Sequence, residues 1–180
     1  MPKRPILTSK WSFERGLLLL LLTTASFTSL CAAATPPKPS DAKALGKELM
    51  SNLPGIFSLD QDNKERVGSY EVPALRNGNW VLRAQPIPLV DSFSEQTGAV
   101  TTLFVKVQDE FVRISTTEPG EKAGAALSHS HPAYKKMIGE LRYTDKVTLA
   151  GKEYMADYDV FRDRQGRVIG AYLVAIPIEK

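Results

Sequence analysis

The second half of the chain alternates between apolar and polar residues, as β-strands with two different faces do. In "EFVRISTT", residues 110–117, Phe111, Arg113 and Ser115 share one face and the residues between them share the other. The predicted strands are residues 99–107, 110–117, 146–151, 152–161 and 167–178. Short turns separate most neighbours among these runs, which predicts antiparallel pairing.

Helical spacing appears earlier in the chain. "SDAKALGKELMSNL", residues 40–53, starts with two residues that can cap a helix, and its apolar residues recur every three to four positions. The apolar residues expected on one face of this N-terminal helix are Ala44, Leu45, Leu49 and Leu53. "PLVDSFSEQTG", residues 88–98, predicts a short helix that ends at Gly98. Residues 70–82 predict extended segments around an Asn-Gly turn, whereas residues 56–70 are polar and ambiguous.

One further helix interrupts the run of strands. "SHPAYKKMIGEL", residues 130–141, has Ser130 as its expected cap and Pro132 in its first turn. Residues 168–178 are apolar at nearly every position, as in a central strand that is covered on both faces. These elements predict an α+β fold. We expect an antiparallel sheet of about five strands, with the N-terminal helix on one face and the later helix and loops on the other.

The first 34 residues carry a targeting pattern. Basic residues precede the apolar run "GLLLLLLTTASFTSLCAAA", residues 16–34, which ends in small residues at Ala32 and Ala34. This order is typical of a secretory signal peptide and predicts cleavage after Ala34. The alternative is an uncleaved anchor in the inner membrane, because the run is just long enough to span a bilayer. Only in that alternative do we expect the chain to contact a membrane.

Removal of residues 1–34 changes the charge of the chain. Of its 23 Lys and Arg and 20 Asp and Glu residues, four and one lie in this segment, so residues 35–180 carry 19 of each. A neutral domain is not expected to bind nucleic acid. The one cysteine also lies in the segment, which leaves no disulfide and no thiol site. We therefore expect a periplasmic protein with a Pro-rich spacer at 35–40 and a single domain at 41–180.

Candidate chemistry is sparse. His129 and His131 are the only histidines, and without a third histidine or a cysteine nearby they do not predict a metal site. No set of nucleophile, base and orienting group is evident, and the carboxylates are scattered in expected turns, so we expect neither an enzyme nor a cofactor. Tyr154 and Tyr158 share a strand face. Phenol hydroxyls beside an arginine can bind a small anion, although ordinary packing explains tyrosines in strands equally well.

Three motifs occur in the order seen in Cache sensor domains. They are T-G-x-x-x-T-x-F-V, F-V-R-I-S-T and G-x-x-Y-x-x-x-Y-x-x-x-x-D-x-x-G-x-V-I-G. Over residues 68–178 the chain resembles the single-module Cache 3/Cache 2 fusion type. The resemblance implies a PAS-like fold with a ligand pocket on the sheet face away from the N-terminal helix. It also implies the extracytoplasmic sensing role of bacterial chemoreceptors and sensor kinases, whose Cache domains commonly bind carboxylates or amino acids.

The resemblance also places particular residues around this pocket. The expected ligand-binding residues are Phe104, Arg113, Ser115, Tyr134, Tyr143, Tyr154 and Tyr158. Asp145, Asp159-Val160 and "AGAALSHS", residues 123–130, depart from the family pattern near the pocket, so the identity of the ligand does not transfer. We expect a sensor domain without transmitter regions, which would act with a separate membrane receptor or sensor kinase.

Arg113 is the residue on which the binding hypothesis depends. Since Val112 and Ile114 are expected to face the N-terminal helix, Arg113 should face a pocket under the helix at 131–141. No acidic residue lies on its own strand face, so we expect tyrosine hydroxyls and a bound carboxylate to satisfy it. The apolar residues that this helix should bury are Met137, Ile138 and Leu141.

The leading hypothesis is an exported, stand-alone Cache domain that binds a small organic anion without catalysis. A second hypothesis is an interaction or structural module, or a receptor fragment, whose pocket has degenerated. A third is a hydrolase-like enzyme. An intact pocket that holds Arg113 and the tyrosines would favour the first hypothesis, and a filled one would favour the second.

Overall fold

The computed structural model describes residues 42–84 and 86–178. Its helices are α1 (Ala42–Ser51), α2 (Pro88–Thr97) and α3 (Pro132–Ile138). Its strands are β1 (Phe57–Val67), β2 (Tyr70–Asn77), β3 (Trp80–Leu82), β4 (Val100–Val107), β5 (Glu110–Thr116), β6 (Tyr143–Leu149), β7 (Lys152–Arg162) and β8 (Val168–Pro177). The predicted signal peptide, its cleavage site and the Pro-rich spacer lie outside the described residues.

The predicted antiparallel sheet is present and contains five strands in the order β5-β4-β8-β7-β6. Tight turns join β4 to β5, β6 to β7 and β7 to β8, as expected. The central strand is β8, and nine of its ten residues are buried, which agrees with its continuous apolar sequence. The α+β class is therefore confirmed, and the architecture agrees with a PAS-like fold.

A second, three-stranded sheet has the order β1-β2-β3. The extended segments predicted at 70–82 are confirmed as β2 and β3. The ambiguous residues 56–70 form β1, a strand that the sequence pattern did not reveal. Its middle is exposed or half-buried at every position, so no alternation marks it, and a register shift between Asp60 and Lys64 interrupts its repeat further.

Helix α1 packs across β7 and β8 and covers one face of the five-stranded sheet. Leu49 and Leu53 are buried there, as the helical spacing predicted. The inclusion of Ala44 in that face was wrong, because Ala44 is exposed and Gly46 is buried instead. A Cβ atom on Gly46 would lie 2.6 Å from a carboxylate oxygen of Asp157, so the missing side chain is what lets the helix approach the sheet.

Helix α3 lies on the opposite face of the same sheet. Val112 and Ile114 pack in the α1 cluster and Phe111 in the α3 cluster, which confirms the alternation predicted for β5. Met137, on the inner side of α3, is buried as expected. The expected burial of Leu141 was wrong, because Leu141 is 57% exposed. The helix ends before this residue is reached, and the chain then turns toward β6.

The ends of the two later helices differ in how well they were predicted. Gly98 ends α2 in the left-handed conformation, with φ of 68°, as expected. The cap predicted for α3 was one residue too early. His131, not Ser130, is the N-cap, and its Nδ1 accepts a hydrogen bond from the backbone N–H of Ala133 at 3.2 Å. The imidazole nitrogen therefore takes the place of the hydroxyl oxygen that a serine cap would supply.

Candidate functional site

A buried arginine lies on the α3 face of the sheet. Arg113 is only 4% exposed, and its guanidinium carbon is 5.3 Å from the centroid of the Phe104 ring on β4. This distance is within the range of a cation–π interaction. Phe104 itself is fully buried and belongs to the apolar cluster under α3. Arg113 thus faces the α3 side of the sheet, as its place in the strand predicted, and it lies beside Phe104.

A carboxylate from the loop after β5 neutralises this arginine. Glu118 Oε2 accepts hydrogen bonds from Arg113 Nε at 3.1 Å and from Nη2 at 3.0 Å. The backbone carbonyls of Ala125 and Ala126 accept from Nη1 at 3.4 and 3.2 Å, and a carboxylate oxygen of Glu121 lies 3.7 Å from Nη1. The expectation that tyrosine hydroxyls would satisfy Arg113 was wrong. The loop folds back along the edge of β5 and supplies the acidic partner that the strand face lacks.

The loop is fastened to β5 by its later residues. The backbone N–H of Gly124 donates to the Arg113 carbonyl at 2.8 Å, and the Arg113 N–H donates to Ala125 at 3.0 Å. Gly124 has φ of +87° and lies so close to Gly68 that a Cβ would approach the Gly68 nitrogen to 2.6 Å. This end of the loop is therefore held on both sides, by β5 and by the turn between β1 and β2.

Burial changes the acid–base properties of the groups near Arg113. It raises the pKa of Glu118, although the Arg113 charge and hydrogen bonds oppose that rise. It also lowers the pKa of His131, and the nearby Arg113 charge lowers it further. For Tyr158, burial raises the pKa of the phenol well above its ordinary value. All three groups are therefore held in an interior where charge is costly.

Two of the predicted tyrosines belong to this cluster. Tyr158 is fully buried, and its hydroxyl lies 3.4 Å from Nε2 of His131. The charges of Glu118 and Arg113 both act on the pKa of Tyr158, which places the three groups in one electrostatic neighbourhood. The ring of Tyr143 packs beside Tyr158 with a centroid distance of 6.1 Å.

The other predicted residues are less central. Ser115 is buried on β5 two residues beyond Arg113, and Tyr154 is buried on β7 in the apolar cluster under α3. Tyr134 is engaged elsewhere: its hydroxyl donates to the carbonyl of Asp109 at 2.9 Å and its ring stacks on His129 at 4.2 Å. Tyr134 thus fastens α3 to the turn between β4 and β5.

Sequence reasoning missed Glu118 and His131 as members of the cluster. The strand pattern assigns a face only to residues within a strand, whereas Glu118 lies in an irregular loop and His131 at a helix cap. The one available signal was proximity in sequence, because Glu118 follows Arg113 by five residues. The acidic loop "EPGEKAG", residues 118–124, was therefore the segment to examine for a partner of Arg113.

A groove at the surface meets this cluster at His131. Arg113, Tyr143 and Tyr158 do not line it, so it is not the pocket that was expected at Arg113. Its volume is about 320 Å³. It is lined by His131, Pro132, Lys146, Val147, Thr148 and Glu153. His131 thus lines the groove and also contacts the buried hydroxyl of Tyr158. A second groove, of about 710 Å³, lies between β1 and the turn from β7 to β8, and none of the predicted site residues line it.

A second buried carboxylate lies on the opposite, α1 face. Asp157 is fully buried and accepts hydrogen bonds from Arg142 Nε at 2.6 Å, from Arg142 Nη2 at 2.5 Å and from the Thr144 hydroxyl at 2.7 Å. Arg142 Nη2 also donates to the Lys43 carbonyl at 3.4 Å and so reaches α1. The expectation that the carboxylates lie in exposed turns was therefore wrong for Asp157 and Glu118.

An antiparallel five-stranded sheet with a helix on each face agrees with a PAS-like fold. The chain belongs to the Cache 3/Cache 2 fusion domain family, whose model matches residues 32–180. Domains of this family are extracytoplasmic modules that sense small molecules. Comparisons with curated proteins and with solved structures find no match. Among the described residues, no helix is long and apolar enough to cross a membrane.

Proposed function

We propose that this Cache domain binds a small organic anion, a carboxylate or an amino acid, at Arg113 and does not catalyse a reaction on it. The observation that carries the proposal is the burial of a guanidinium to 4% exposure on the α3 face of the sheet. A buried ion pair generally stabilises a fold no better than apolar residues of similar volume do, because both charges lose their hydration. A role in recognition accounts for such a pair better than stability does.

The neighbours of Arg113 suit an anionic ligand. The guanidinium offers N–H groups with the geometry that a carboxylate accepts, and the Phe104 ring supports it from one side. The phenol of Tyr158 is protonated at neutral pH, as an ordinary phenol is, and burial raises its pKa further, so it can donate a hydrogen bond. Access would run through the groove beside His131.

The cellular role that we propose follows from the family. The domain would work in the periplasm after cleavage behind Ala34, and it would report ligand binding to a separate membrane receptor or sensor kinase. Cache domains are typically sensor modules, which supports a role in recognition rather than in turnover. An N-terminal anchor in the inner membrane would place the same domain on the same side of that membrane.

One observation favours a second candidate, an interaction or structural module with a degenerate pocket. Arg113 already has an internal carboxylate partner in Glu118, so the fold does not need a ligand to balance that charge. This candidate predicts that no small carboxylate or amino acid binds, and that loss of the ion pair affects stability alone.

A ligand screen of the full chain tests the proposal. Small carboxylates and amino acids are tested for a rise in melting temperature, and each hit is measured by calorimetry. Arg113→Ala should weaken binding by about 2–4 kcal/mol, because a charge-assisted contact at a buried site is lost. Arg76→Ala is the control, since its ion pair with Asp60 (2.8 Å) is on β1 and β2, away from α3. Absence of any hit, or unchanged affinity in Arg113→Ala, would contradict the proposal.

A further inference from the structure

Glu118 occupies the position at Arg113 that an incoming carboxylate would need. We infer, on the basis of the function proposed for Arg113, that Glu118 is an internal substitute for the ligand carboxylate. A bound anion would displace it from the guanidinium, together with residues 118–123. We call residues 118–123 the strap. Ligand binding would then be an exchange of one carboxylate for another, and the movement of the strap would be its structural consequence.

The hydrogen bonds of Arg113 leave no open edge for a second carboxylate. A guanidinium carries five N–H groups, and four of them are used: two by Glu118 and two by the carbonyls of Ala125 and Ala126. The carbonyls belong to the part of the loop that is fastened to β5. The edge formed by Nε and Nη2 is therefore the one that can be vacated, and only Glu118 holds it.

The strap lies between two ends that backbone hydrogen bonds hold in place, and it can move between them. Before it, the backbone N–H of Thr117 donates to Thr101 at 2.9 Å, and after it Gly124 donates to Arg113 at 2.8 Å. No helix or strand forms within the strap, and residues 119–122 are exposed. Gly120 has φ of +83°, and no atom lies within 4 Å of the place where its Cβ would be. Two side chains of this segment reach inward: Glu118 contacts Arg113, and the half-buried Ala123 packs against the apolar cluster under α1.

Release of Glu118 into water would remove the free-energy cost of burying its carboxylate. Its carboxylate is 8% exposed, and desolvation raises its pKa in spite of the paired arginine. In the bound state the ligand carboxylate would take over the charge of Arg113, and Glu118 would regain hydration outside. Because Glu118 is tethered beside Arg113, it competes like a ligand at an effective concentration in the millimolar range or above. Removing this competitor should therefore tighten anion binding.

The inference can be tested on the full chain with sodium acetate as the probe. The Nε–Hε signal of Arg113 and the backbone amide signals of the strap are followed by NMR in ¹⁵N-labelled protein. In Glu118→Gln, which has the same shape without the charge, we expect half-saturation at roughly tenfold lower acetate concentration than in the native chain. Glu121→Gln removes the same charge from the same strap at 3.7 Å from Arg113, and so measures the effect of charge without occupancy of the Nε edge.

If Glu118→Gln does not fold, the native chain provides an independent test. Acetate should then shift the strap amides at the same concentrations at which it shifts Arg113, while amides of β3, which belongs to the three-stranded sheet, stay in place. If acetate shifts Arg113 but not the strap, or if Glu121→Gln tightens binding as much as Glu118→Gln, the inference is overturned and the proposed function stands. If acetate shifts Arg113 in neither the native chain nor Glu118→Gln, the inference is overturned as well. The proposed function falls if the wider screen of carboxylates and amino acids is also negative, or if a hit binds Arg113→Ala as tightly as the native chain.

Discussion

At the scale of single residues, the environment of His131 predicts a dependence of stability on pH. Its Nδ1 accepts the cap hydrogen bond from Ala133, and its Nε2 faces the Tyr158 hydroxyl, so the neutral ring suits both contacts. Burial and the Arg113 charge lower its pKa from 6.5. A histidine whose pKa is lower in the folded state contributes stability above its unfolded pKa. That contribution is lost as the pH falls below the unfolded value toward the folded one.

Replacement of the titrating ring tests this effect. His131→Asn keeps a side chain that caps helices well but removes the charge change. We expect the native chain to lose more free energy of unfolding than His131→Asn when the pH falls below 6.5, measured by urea denaturation at a series of pH values. Glu118, whose pKa is raised, favours folding at lower pH in both chains and so cancels in the difference. Equal pH profiles for the two chains would contradict the assignment.

The same residues show how far sequence reasoning reached. The direction of the Arg113 side chain followed from the two-residue repeat of a strand, because Val112 and Ile114 had to face α1. Its partner did not follow, because Glu118 reaches the guanidinium through a loop whose path no periodicity describes. The hydrogen bond from the Tyr134 hydroxyl to the Asp109 carbonyl could not be predicted either, since a hydroxyl can donate to any carbonyl within reach.

At the scale of elements, Asp157 and Arg142 join β7 to the segment that follows α3. Asp157 is fully buried beneath α1, whereas Arg142 is 24% exposed and also contacts Asp159 at 3.3 Å. Asp157→Asn should lower the free energy of unfolding by about 3 kcal/mol, since it leaves a partly buried guanidinium without its main partner. Asp159→Asn is the matched control, because it removes a carboxylate from the same guanidinium at a more exposed place. Asp159→Asn should lower the free energy of unfolding by less than about 1 kcal/mol.

Urea denaturation of both variants gives the comparison. A similar loss in Asp157→Asn and Asp159→Asn would show that charge at Arg142 matters more than the buried bidentate contact. The sequence did not reveal this contact, because Asp157 alternates with apolar residues on β7 as any solvent-facing residue would. In the structure α1 covers that face and its Gly46 lies close to Asp157, so the polar residue that alternates with the apolar ones is covered too.

At the scale of the whole molecule, each face of the five-stranded sheet holds an arginine paired with a buried carboxylate. Arg113 and Glu118 lie on the α3 face, and Arg142 and Asp157 lie on the α1 face. The fold class and the central place of β8 were predictable, because strands with one or two buried faces carry a regular apolar pattern. The three-stranded sheet was predicted only in part, since β1 is largely exposed and its stability comes from pairing with β2 rather than from a buried face.

The export of the molecule is the remaining prediction at this scale. The basic start, the apolar run at 16–34 and the small residues Ala32 and Ala34 predict that a signal peptidase releases a chain that begins at Thr35. Mass spectrometry of the periplasmic fraction should find that terminus. Ala34→Leu should block cleavage and retain the precursor in the membrane, because the peptidase requires a small residue there, whereas Ala33→Leu should be processed normally. A native chain that keeps Met1 and stays in the membrane fraction would instead establish the anchored form, with the sensing domain tethered to the inner membrane.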